Sequence, residues 1–265
     1  MGLQADTTPL LITFNEIQNI ARTVGRLDWA KRIVVVDSGS TDGTLEFLAK
    51  DPRIEVHHRA FDNFAQQCNF GLAQIRTEWV LSLDADYELS DEFNAELGRL
   101  QPTAEDAGYR ARFVYRIYGR PLRGTLYPPR TVLYRVRGAR YENEGHGHRV
   151  RVPGSASVLN GVIFHDDRKP LARWLSSQLK YASVEAAHLL GAQPSDLSFA
   201  DRIRRRGWLA PFLVVAYVLF VKRTLLDGRA GWFYAFQRLS AEVLLALELL
   251  DRRLSGQSAG KAGAG

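Results

Sequence analysis

The sequence contains very little cysteine and lacks an obvious targeting segment. Its one cysteine, Cys68, leaves no internal disulfide to form. The spacing of Cys68 with Phe64 and Leu72 puts it on the apolar face of a predicted helix, so we expect a small buried side chain. The chain does not begin with a basic stretch followed by an apolar run, and this argues against a signal peptide. We therefore expect the chain to stay in the cytosol.

Two familiar nucleotide-binding patterns are also absent from the sequence. It has neither a Walker A loop nor a Gly-x-Gly-x-x-Gly fingerprint, so an ATPase or a dehydrogenase receives no support. The sequence has 29 Asp and Glu residues against 35 Lys and Arg residues, which gives a net charge of +6. Such a balance favours an anionic partner, whether a phosphate-bearing small molecule, an acidic membrane or a nucleic acid.

The first hundred residues alternate strand-like and helix-like patterns. Apolar or β-branched runs predict strands at 10–14, 33–36, 54–57 and 79–83. Apolar residues at helical spacing predict helices around 17–27, 41–48 and 64–75, with Ser40 or Thr41 as the N-cap of the second. This order indicates a mostly parallel sheet with right-handed crossovers, in which ligands bind beyond the carboxyl ends of the strands.

Acidic side chains follow three of the predicted strands. Asn15-Glu16 follows the first strand, Asp37 to Asp42 the second, and Asp84-Ala85-Asp86 the fourth. Because these strands are predicted to be parallel, the three loops should converge at one edge of the sheet. Two carboxylates at i and i+2 suit a hard divalent cation, since Mg²⁺ usually binds one or two carboxylates plus substrate phosphates. A plain turn is the alternative explanation for each loop taken alone.

From Gly108 to Val152, short apolar pieces are interleaved with arginine. Eleven Arg residues stand against two acids between Arg110 and Arg151. A solvated face, a nucleic-acid groove and an anion-binding acceptor site are the three interpretations. Seven aromatic residues in the segment suit stacking on either bases or sugar rings. Given the acidic loops, we favour an acceptor site and expect no nucleic-acid partner.

The motifs of the first half resemble those of family 2 glycosyltransferases. The matching segments are Ile12 to Glu16, Val34 to Asp42 and Leu81 to Asp86, and Asn63 to Leu72 resembles the helix after the third strand of that family. More closely, the chain is similar to bacterial lipopolysaccharide-core glucosyltransferase-like proteins. The resemblance implies a GT-A fold, inverting transfer from a nucleotide-sugar, and a requirement for Mg²⁺ or Mn²⁺.

Residue roles follow from that resemblance. Asp37 is expected to contact the nucleoside, Asp84 to lie near the ribose and diphosphate, and Asp86 to bind the metal. His165 ends a later predicted strand and is expected to complete the metal or diphosphate shell, with a structural histidine as the alternative. The remaining candidates for the donor site are Thr13, Asn15, Glu16, Ser40, Asp42 and Asn69.

The base that deprotonates the acceptor hydroxyl falls in a stretch where the chain departs from the family. Many relatives carry a His-Glu pair, whereas this chain reads Glu142-Asn143-Glu144-Gly145-His146-Gly147-His148 with no Glu after the last His. Glu144 is the first candidate for the base, Asp166 or Asp167 the second, and His146 a weaker one. An ion pair with a neighbouring arginine explains Glu144 equally well.

The residues from Pro170 onward look helical and include two apolar stretches. Trp208 to Val221 is an apolar stretch of 14 residues. As a helix it would be about 21 Å long against a bilayer core of about 30 Å, so a single perpendicular span is not expected. Basic residues flank it, and a second apolar stripe lies between Trp232 and Leu250. The pattern suits helices lying on an anionic membrane, with packing on the catalytic domain or on a second subunit as the alternative.

Together these observations predict a GT-A α/β domain with a nucleotide-sugar half at 1–100 and an acceptor-side half at 101–169. A helical membrane-associating segment at 170–254 and a disordered tail at 255–265 should follow. The expected reaction moves a hexose-type sugar, from a UDP-sugar or a similar donor, to a glycan or phosphorylated glycolipid of the bacterial envelope. Its expected place is the cytoplasmic face of the inner membrane, and oligomerisation is left open. The alternatives are a sugar-phosphate nucleotidyltransferase and a membrane-docked, non-catalytic sugar-binding protein.

Overall fold

The computed structural model describes residues 2–144 and 147–262, which form two compact units. The first unit comprises the chain as far as Lys169, except for Leu122–Gly124. The second unit comprises Leu122–Gly124 together with the chain from Pro170 onward.

The first unit is built around a nine-stranded sheet. Its strands are β1 (Thr7–Thr13), β2 (Ile33–Asp37), β3 (Ile54–His58), β4 (Trp79–Asp84), β5 (Tyr87–Leu89), β6 (Asp106–Ile117), β7 (Arg120–Pro121), β8 (Arg130–Arg135) and β11 (Ser155–His165). A separate hairpin consists of β9 (Arg140–Glu144) and β10 (Gly147–Arg151). The helices of this unit are α1 (Ile20–Val24), α2 (Thr44–Leu48), α3 (Phe64–Leu72) and α4 (Asp91–Arg99).

The sheet is parallel where the sequence predicted parallel strands and mixed elsewhere. Strands β3, β2, β1 and β4 are neighbours in that order and all parallel. β8 then pairs antiparallel with both β4 and β6, β11 pairs parallel with β6, and β5 pairs antiparallel with β11. The mostly parallel α/β sheet is therefore confirmed, and the carboxyl ends of β1, β2 and β4 lie along one edge of it.

Side chains from both faces of the sheet form the core, because parallel strands are covered by helices on each side. Ile33, Val35 and Leu81 are fully buried in one apolar cluster, whereas Val34 and Val36 are buried in the other. Cys68 is buried in this second cluster, as predicted from its place on the helix.

Three details of the helices differ from the sequence prediction. α1 begins at Ile20 and α3 ends at Leu72, so both are shorter than their apolar patterns. The N-cap of α2 is Gly43 in a left-handed conformation, not Ser40 or Thr41. The reason is local, because the Ser40 hydroxyl donates to Asp37 and is already engaged.

The second unit is helical. It contains α5 (Leu171–Gly191), α6 (Phe199–Arg206), α7 (Ala210–Ala216) and α8 (Gly228–Ala262), and α7 continues into a π-helical turn at Tyr217–Val221. Its buried centre joins α5 to α8 through Ala186, Leu189 and Leu249. Over the described residues, none of the helices is both long and apolar enough to cross a membrane. α8 is helical as far as Ala262, and residues 263–265 of the predicted tail lie outside the described residues.

Candidate active site

The loop after β2 is organised by a buried carboxylate. Asp37 Oδ1 accepts hydrogen bonds from the backbone N–H groups of Gly39 and Ser40, both at 2.8 Å. Asp37 Oδ2 accepts from the hydroxyls of Thr13 at 2.8 Å and Ser40 at 2.5 Å. Gly39 has a φ of 93°, a conformation that favours glycine. The structure thus brings Thr13, Asp37 and Ser40 together, as the sequence predicted, and their internal bonds shape the loop.

The loop after β1 is tied to the loop after β2. The backbone N–H of Asn15 donates to the Ser40 hydroxyl at 2.7 Å, and the Asn15 side chain accepts from the N–H of Thr41 at 2.7 Å. Asp42 accepts from the N–H of Ile17 at 3.2 Å. The two loops therefore form one hydrogen-bonded rim at the carboxyl edge of the sheet.

Asp86 lies in the turn between β4 and β5 and is almost fully buried. Its Oδ2 is 3.2 Å from Nε2 of His165, the last residue of β11, whereas its Oδ1 is buried without a hydrogen-bond partner. Burial alone would raise the pKa of Asp86, but the charges of His165 and Lys169 lower it to about 2. In turn the Asp86 carboxylate raises the pKa of His165 against the effect of burial. The predicted metal ligands are thus adjacent, and one carboxylate oxygen is unused.

Lys169 is a site residue that the sequence reasoning missed. Its Nζ lies 2.6 Å from a carboxylate oxygen of Glu16 and 3.8 Å from Asp167. Burial raises the pKa of Glu16 to about 7, and the Lys169 charge opposes that rise. The Asn19 amide donates to both Glu16 and Asp167, at 3.0 Å each. The only signal in the sequence was a lysine just after the acidic pair that follows β11.

Two further residues near Asp84 escaped prediction. The His148 ring on β10 stacks on Phe64 with centroids 5.4 Å apart, and its pKa is lowered by burial although the Asp84 charge opposes the shift. The Arg130 guanidinium lies 4.8 Å from the centre of the Tyr127 ring. Burial lowers the pKa of Arg130, but Tyr127, Tyr87 and Asp84 raise it overall. His148 was passed over because no Glu follows it, and Arg130 was one of eleven arginines.

Of the candidates for the base, the structure describes Asp166 but not the side chains of Glu144 and His146. Asp166 is fully buried, and its carboxylate accepts from Arg168 at 2.6 Å and from the Gly119 N–H at 3.3 Å. Those bonds favour a structural role and weaken Asp166 as the base. His146 and the side chain of Glu144 lie outside the described residues.

The Asn69 side chain joins α3 to β9. Its amide donates to the Tyr141 carbonyl at 3.0 Å, and its Oδ1 accepts from the Tyr141 N–H at 2.8 Å. Both ends of the side chain therefore hold β9 against α3. A cavity of about 460 Å³ lies beside this contact and is lined by Gln66, Arg140 and Glu142 among others.

The residues present fit a divalent cation that relies on its substrate for most ligands. Over residues 2–144 and 147–262, no three His, Cys, Asp or Glu side chains are grouped so as to hold a metal. Mg²⁺ and similar cations usually take one or two carboxylates plus substrate phosphates. The buried, unpartnered Oδ1 of Asp86 is the kind of oxygen that such a cation would use.

Comparisons with known proteins agree with this arrangement. The model of glycosyl transferase family 2 matches residues 10–165. An uncharacterised glycosyltransferase of Rickettsia conorii is 33% identical over 255 residues, which cover 90% of each chain. The lipopolysaccharide core biosynthesis glycosyltransferase LpsC of Rhizobium meliloti is 28% identical over 191 residues, which cover 66% of this chain and 68% of LpsC.

A solved structure supports the fold. The mannosyltransferase PcManGT from Pyrobaculum calidifontis superposes with a TM-score of 0.52 at 14% identity, over 92% of this chain and 87% of that one. The α/β fold is therefore of the GT-A type. The family match covers more than half of the chain and ends at His165, the last residue of β11. The chain is a glycosyltransferase and belongs to glycosyl transferase family 2.

Proposed function

We propose that this protein transfers a hexose-type sugar, with inversion, from a nucleotide-sugar to a hydroxyl of a glycan or phosphorylated glycolipid in cell-envelope synthesis. The observation that carries the proposal is Asp86, buried beside His165 with one carboxylate oxygen unpartnered. That oxygen has a use in binding a cation, because a buried polar atom without a partner is otherwise costly.

The donor would lie along the rim formed by the loops after β1, β2 and β4. PcManGT, which shares the fold, has been solved in complex with GDP-Man and Mn²⁺. Here Asp37, Asp84 and Asp86 follow the second and fourth strands at the same edge, and a UDP-sugar is the donor that we favour. Mg²⁺ or Mn²⁺, held by Asp86 and the donor phosphates, would supply Lewis-acid stabilisation of the leaving diphosphate.

Charged side chains of the protein would contribute further to the electrostatics of the site. Lys169 holds the Glu16 carboxylate next to Asp86 and partly offsets the negative charge of the rim. Arg130 places a second cation near Asp84, where the diphosphate would approach. Glu144 stays our proposed base for the acceptor hydroxyl, since Asp166 is engaged by Arg168.

The acceptor is proposed from charge and from a relative. LpsC is named for lipopolysaccharide core biosynthesis, and the phosphates of a phosphorylated acceptor would suit an arginine-rich surface. Exposed arginines on β6, β9 and β10 supply such a surface in the first unit. We therefore place the reaction at the cytoplasmic face of a bacterial inner membrane.

The test is a panel of nucleotide-sugars incubated with the full-length protein, with Mn²⁺ and with a chelator. Wild-type protein should release the nucleoside diphosphate from one donor only when metal is present. Asp86→Asn should lower kcat by roughly 10²-fold or more, the size expected when charge stabilisation in the transition state is lost. Asp86→Asn should also bind UDP equally with and without Mn²⁺.

Asp91→Asn is the matched control, because Asp91 is an exposed carboxylate that pairs with Arg26 on the surface. It should keep wild-type turnover. Near-normal turnover in Asp86→Asn, or turnover that ignores the chelator, would show that Asp86 is not part of a metal-linked donor site.

A further inference from the structure

In the second unit, α7 and the π-helical turn that continues it are apolar on all sides, and one of these sides is exposed to solvent. Trp208, Phe212, Phe220 and Val221 are 64, 70, 66 and 63% exposed. Because Phe212, Ala216 and Phe220 recur every four residues, these side chains follow one side of α7 and its π-helical continuation, and Trp208 lies in the bend just before α7. The other side is buried, with Pro211, Val218 and Leu219 turned inward.

A helix on the surface of a protein normally turns polar residues to water. Here the outward residues are as apolar as the inward ones, and Leu213 and Tyr217 extend the exposed set. We call Trp208, Phe212, Leu213, Tyr217, Phe220 and Val221 the apolar surface. A contiguous exposed patch of this kind marks a site of interaction with a protein, a ligand or a membrane.

Positive charge borders the apolar surface at its C-terminal end. A cavity of about 320 Å³ is lined there by Arg123, Gly124, Val221, Lys222 and Arg223. The Lys222 amine lies 5.6 Å from the centre of the Tyr217 ring, so the cation stands over an aromatic member of the surface. Arg223 has a φ of 60°, which is uncommon for a residue with a side chain and is often found at functional positions.

One carboxylate offsets part of this charge. Asp227 accepts from Nε of Arg123 at 3.2 Å and from its backbone N–H at 2.9 Å. Three cations therefore surround the cavity against one buried acid. At the other end of the apolar surface, Arg202 and Arg206 lie on α6 and are exposed.

We propose that the apolar surface inserts into an anionic lipid bilayer, with lipid phosphate groups in the cavity formed by Arg123, Lys222 and Arg223. Apolar side chains bordered by cations, with Trp and Tyr among them, match the boundary between acyl chains and anionic headgroups. Over the described residues, none of the helices is long and apolar enough to span a bilayer, so the helix lies along the membrane. This proposal does not depend on the sugar chemistry.

A second copy of the chain fits the apolar surface less well than an anionic membrane does. Symmetric contact through the apolar surface would bring Lys222 and Arg223 of each copy towards those of the other, and like charges in contact are unfavourable. The whole chain also has a net charge of +6, which opposes self-association and favours an anionic surface.

The experiment is co-sedimentation of the full-length protein with phosphatidylcholine vesicles that contain or lack phosphatidylglycerol. We expect strong binding only to the anionic vesicles, weakened but not abolished by salt, because apolar insertion is not screened. Phe212→Ser combined with Phe220→Ser should weaken the partition by roughly tenfold per side chain. Lys222→Glu combined with Arg223→Glu should weaken it by at least about fivefold per charge, on anionic vesicles only.

Two controls are matched to these variants. Phe61→Ser removes an exposed aromatic ring from the first unit, and Lys31→Glu with Lys50→Glu reverses two exposed charges there that lie outside the proposed acceptor surface. Phe61→Ser and this lysine pair should bind vesicles like wild type. Because Phe212 and Phe220 are exposed, their replacement should leave the melting temperature unchanged, which verifies folding.

Three results would overturn the proposal. The first is wild-type protein that does not sediment with anionic vesicles, and the second is a paired Phe variant that binds them as well as wild type does. The third is a paired Phe variant that dissociates a dimer in vesicle-free solution and leaves vesicle binding unchanged, which would assign the surface to a second copy.

Discussion

His165 is a residue at which proton binding would compete with the proposed metal binding. Its Nε2 lies 3.2 Å from Asp86, whose charge raises the pKa of the imidazole although burial would lower it. In the metal-free protein, the ion pair therefore stabilises the fold fully below the ordinary His pKa of about 6.5. That stabilisation is lost as the pH rises through the raised value.

From this we predict that the affinity for Mn²⁺ increases with pH. An imidazole that binds a metal must be neutral, so metal binding would expel one proton from His165. The affinity should rise by up to about tenfold per pH unit below the raised pKa and level off above it. Calorimetry of Mn²⁺ binding in buffers of different ionisation enthalpy measures both the affinity and the proton released.

The variant for this prediction is His165→Gln, with His188→Gln as control because His188 is exposed on α5. His165→Gln should bind Mn²⁺ more weakly and without proton release, and His188→Gln should behave as wild type. If His165→Gln keeps the wild-type slope of affinity against pH, His165 is a structural histidine.

The sequence indicated the proposed site residues that follow predicted strands. It missed the residues that come close to them only because distant segments of the chain meet in the fold. Asp37, Asp84 and Asp86 were found because each directly follows an apolar strand in the first hundred residues. Lys169 and His148 were missed, since their neighbours Glu16 and Phe64 are more than eighty residues away in the chain. No local pattern states which distant carboxylate a lysine will meet.

Among the elements, the strands β1 to β4 and the strand that ends at His165 were predicted from the sequence, whereas β5 to β10 were not. β1, β2 and β4 are short, buried and rich in Val, Ile and Leu, which is typical of parallel strands covered on both faces, whereas β3 is a partly exposed edge strand. β6 instead alternates arginine with apolar residues around Arg110 and Arg112, and β8 carries an arginine at each end. The sequence of this region therefore showed only short apolar pieces between arginines, although the two strands pair antiparallel and complete the sheet.

α3 is the element that holds the hairpin of β9 and β10 in place, and its packing is close. A Cβ on Gly71 would lie 2.5 Å from Cδ1 of Leu10 and 3.1 Å from Cγ2 of Val36. Leu10 is 1% exposed and has no room to move. Gly71 is therefore required by the approach of the helix to β1 and β2.

We predict that Gly71→Ala destabilises the protein by about 1–3 kcal/mol, because overpacking of the core outweighs the better helix propensity of alanine. Gly191→Ala is the control, since a Cβ at that last residue of α5 meets nothing within 4 Å. It should be neutral or stabilising by up to about 1 kcal/mol. Urea unfolding measures both, and equal stability of the two variants would contradict the close packing of α3.

At the scale of the whole molecule, the proposed sites for the two anionic substrates, the nucleotide-sugar donor and the phosphorylated acceptor, differ in the exposure of their charged side chains. The acidic rim surrounds the proposed donor site, where buried groups such as Asp86 and His165 are shielded from salt. The arginines of the acceptor side, including Arg110, Arg112 and Arg140, are exposed to solvent and are screened by it. Ionic strength should therefore act on the acceptor far more than on the donor.

The last prediction follows from this difference. For a phosphorylated glycolipid acceptor, raising the salt from about 0.05 to about 0.5 M should raise KM on the order of tenfold with little change in kcat, because exposed charges attract less strongly in salt. The same acceptor after phosphatase treatment should show a higher KM at low salt and little dependence on salt. KM for the donor should stay nearly constant throughout. Steady-state kinetics at fixed Mn²⁺ measures all three, and a phosphorylated acceptor whose KM ignores salt would show that the arginine-rich surface does not bind its phosphates.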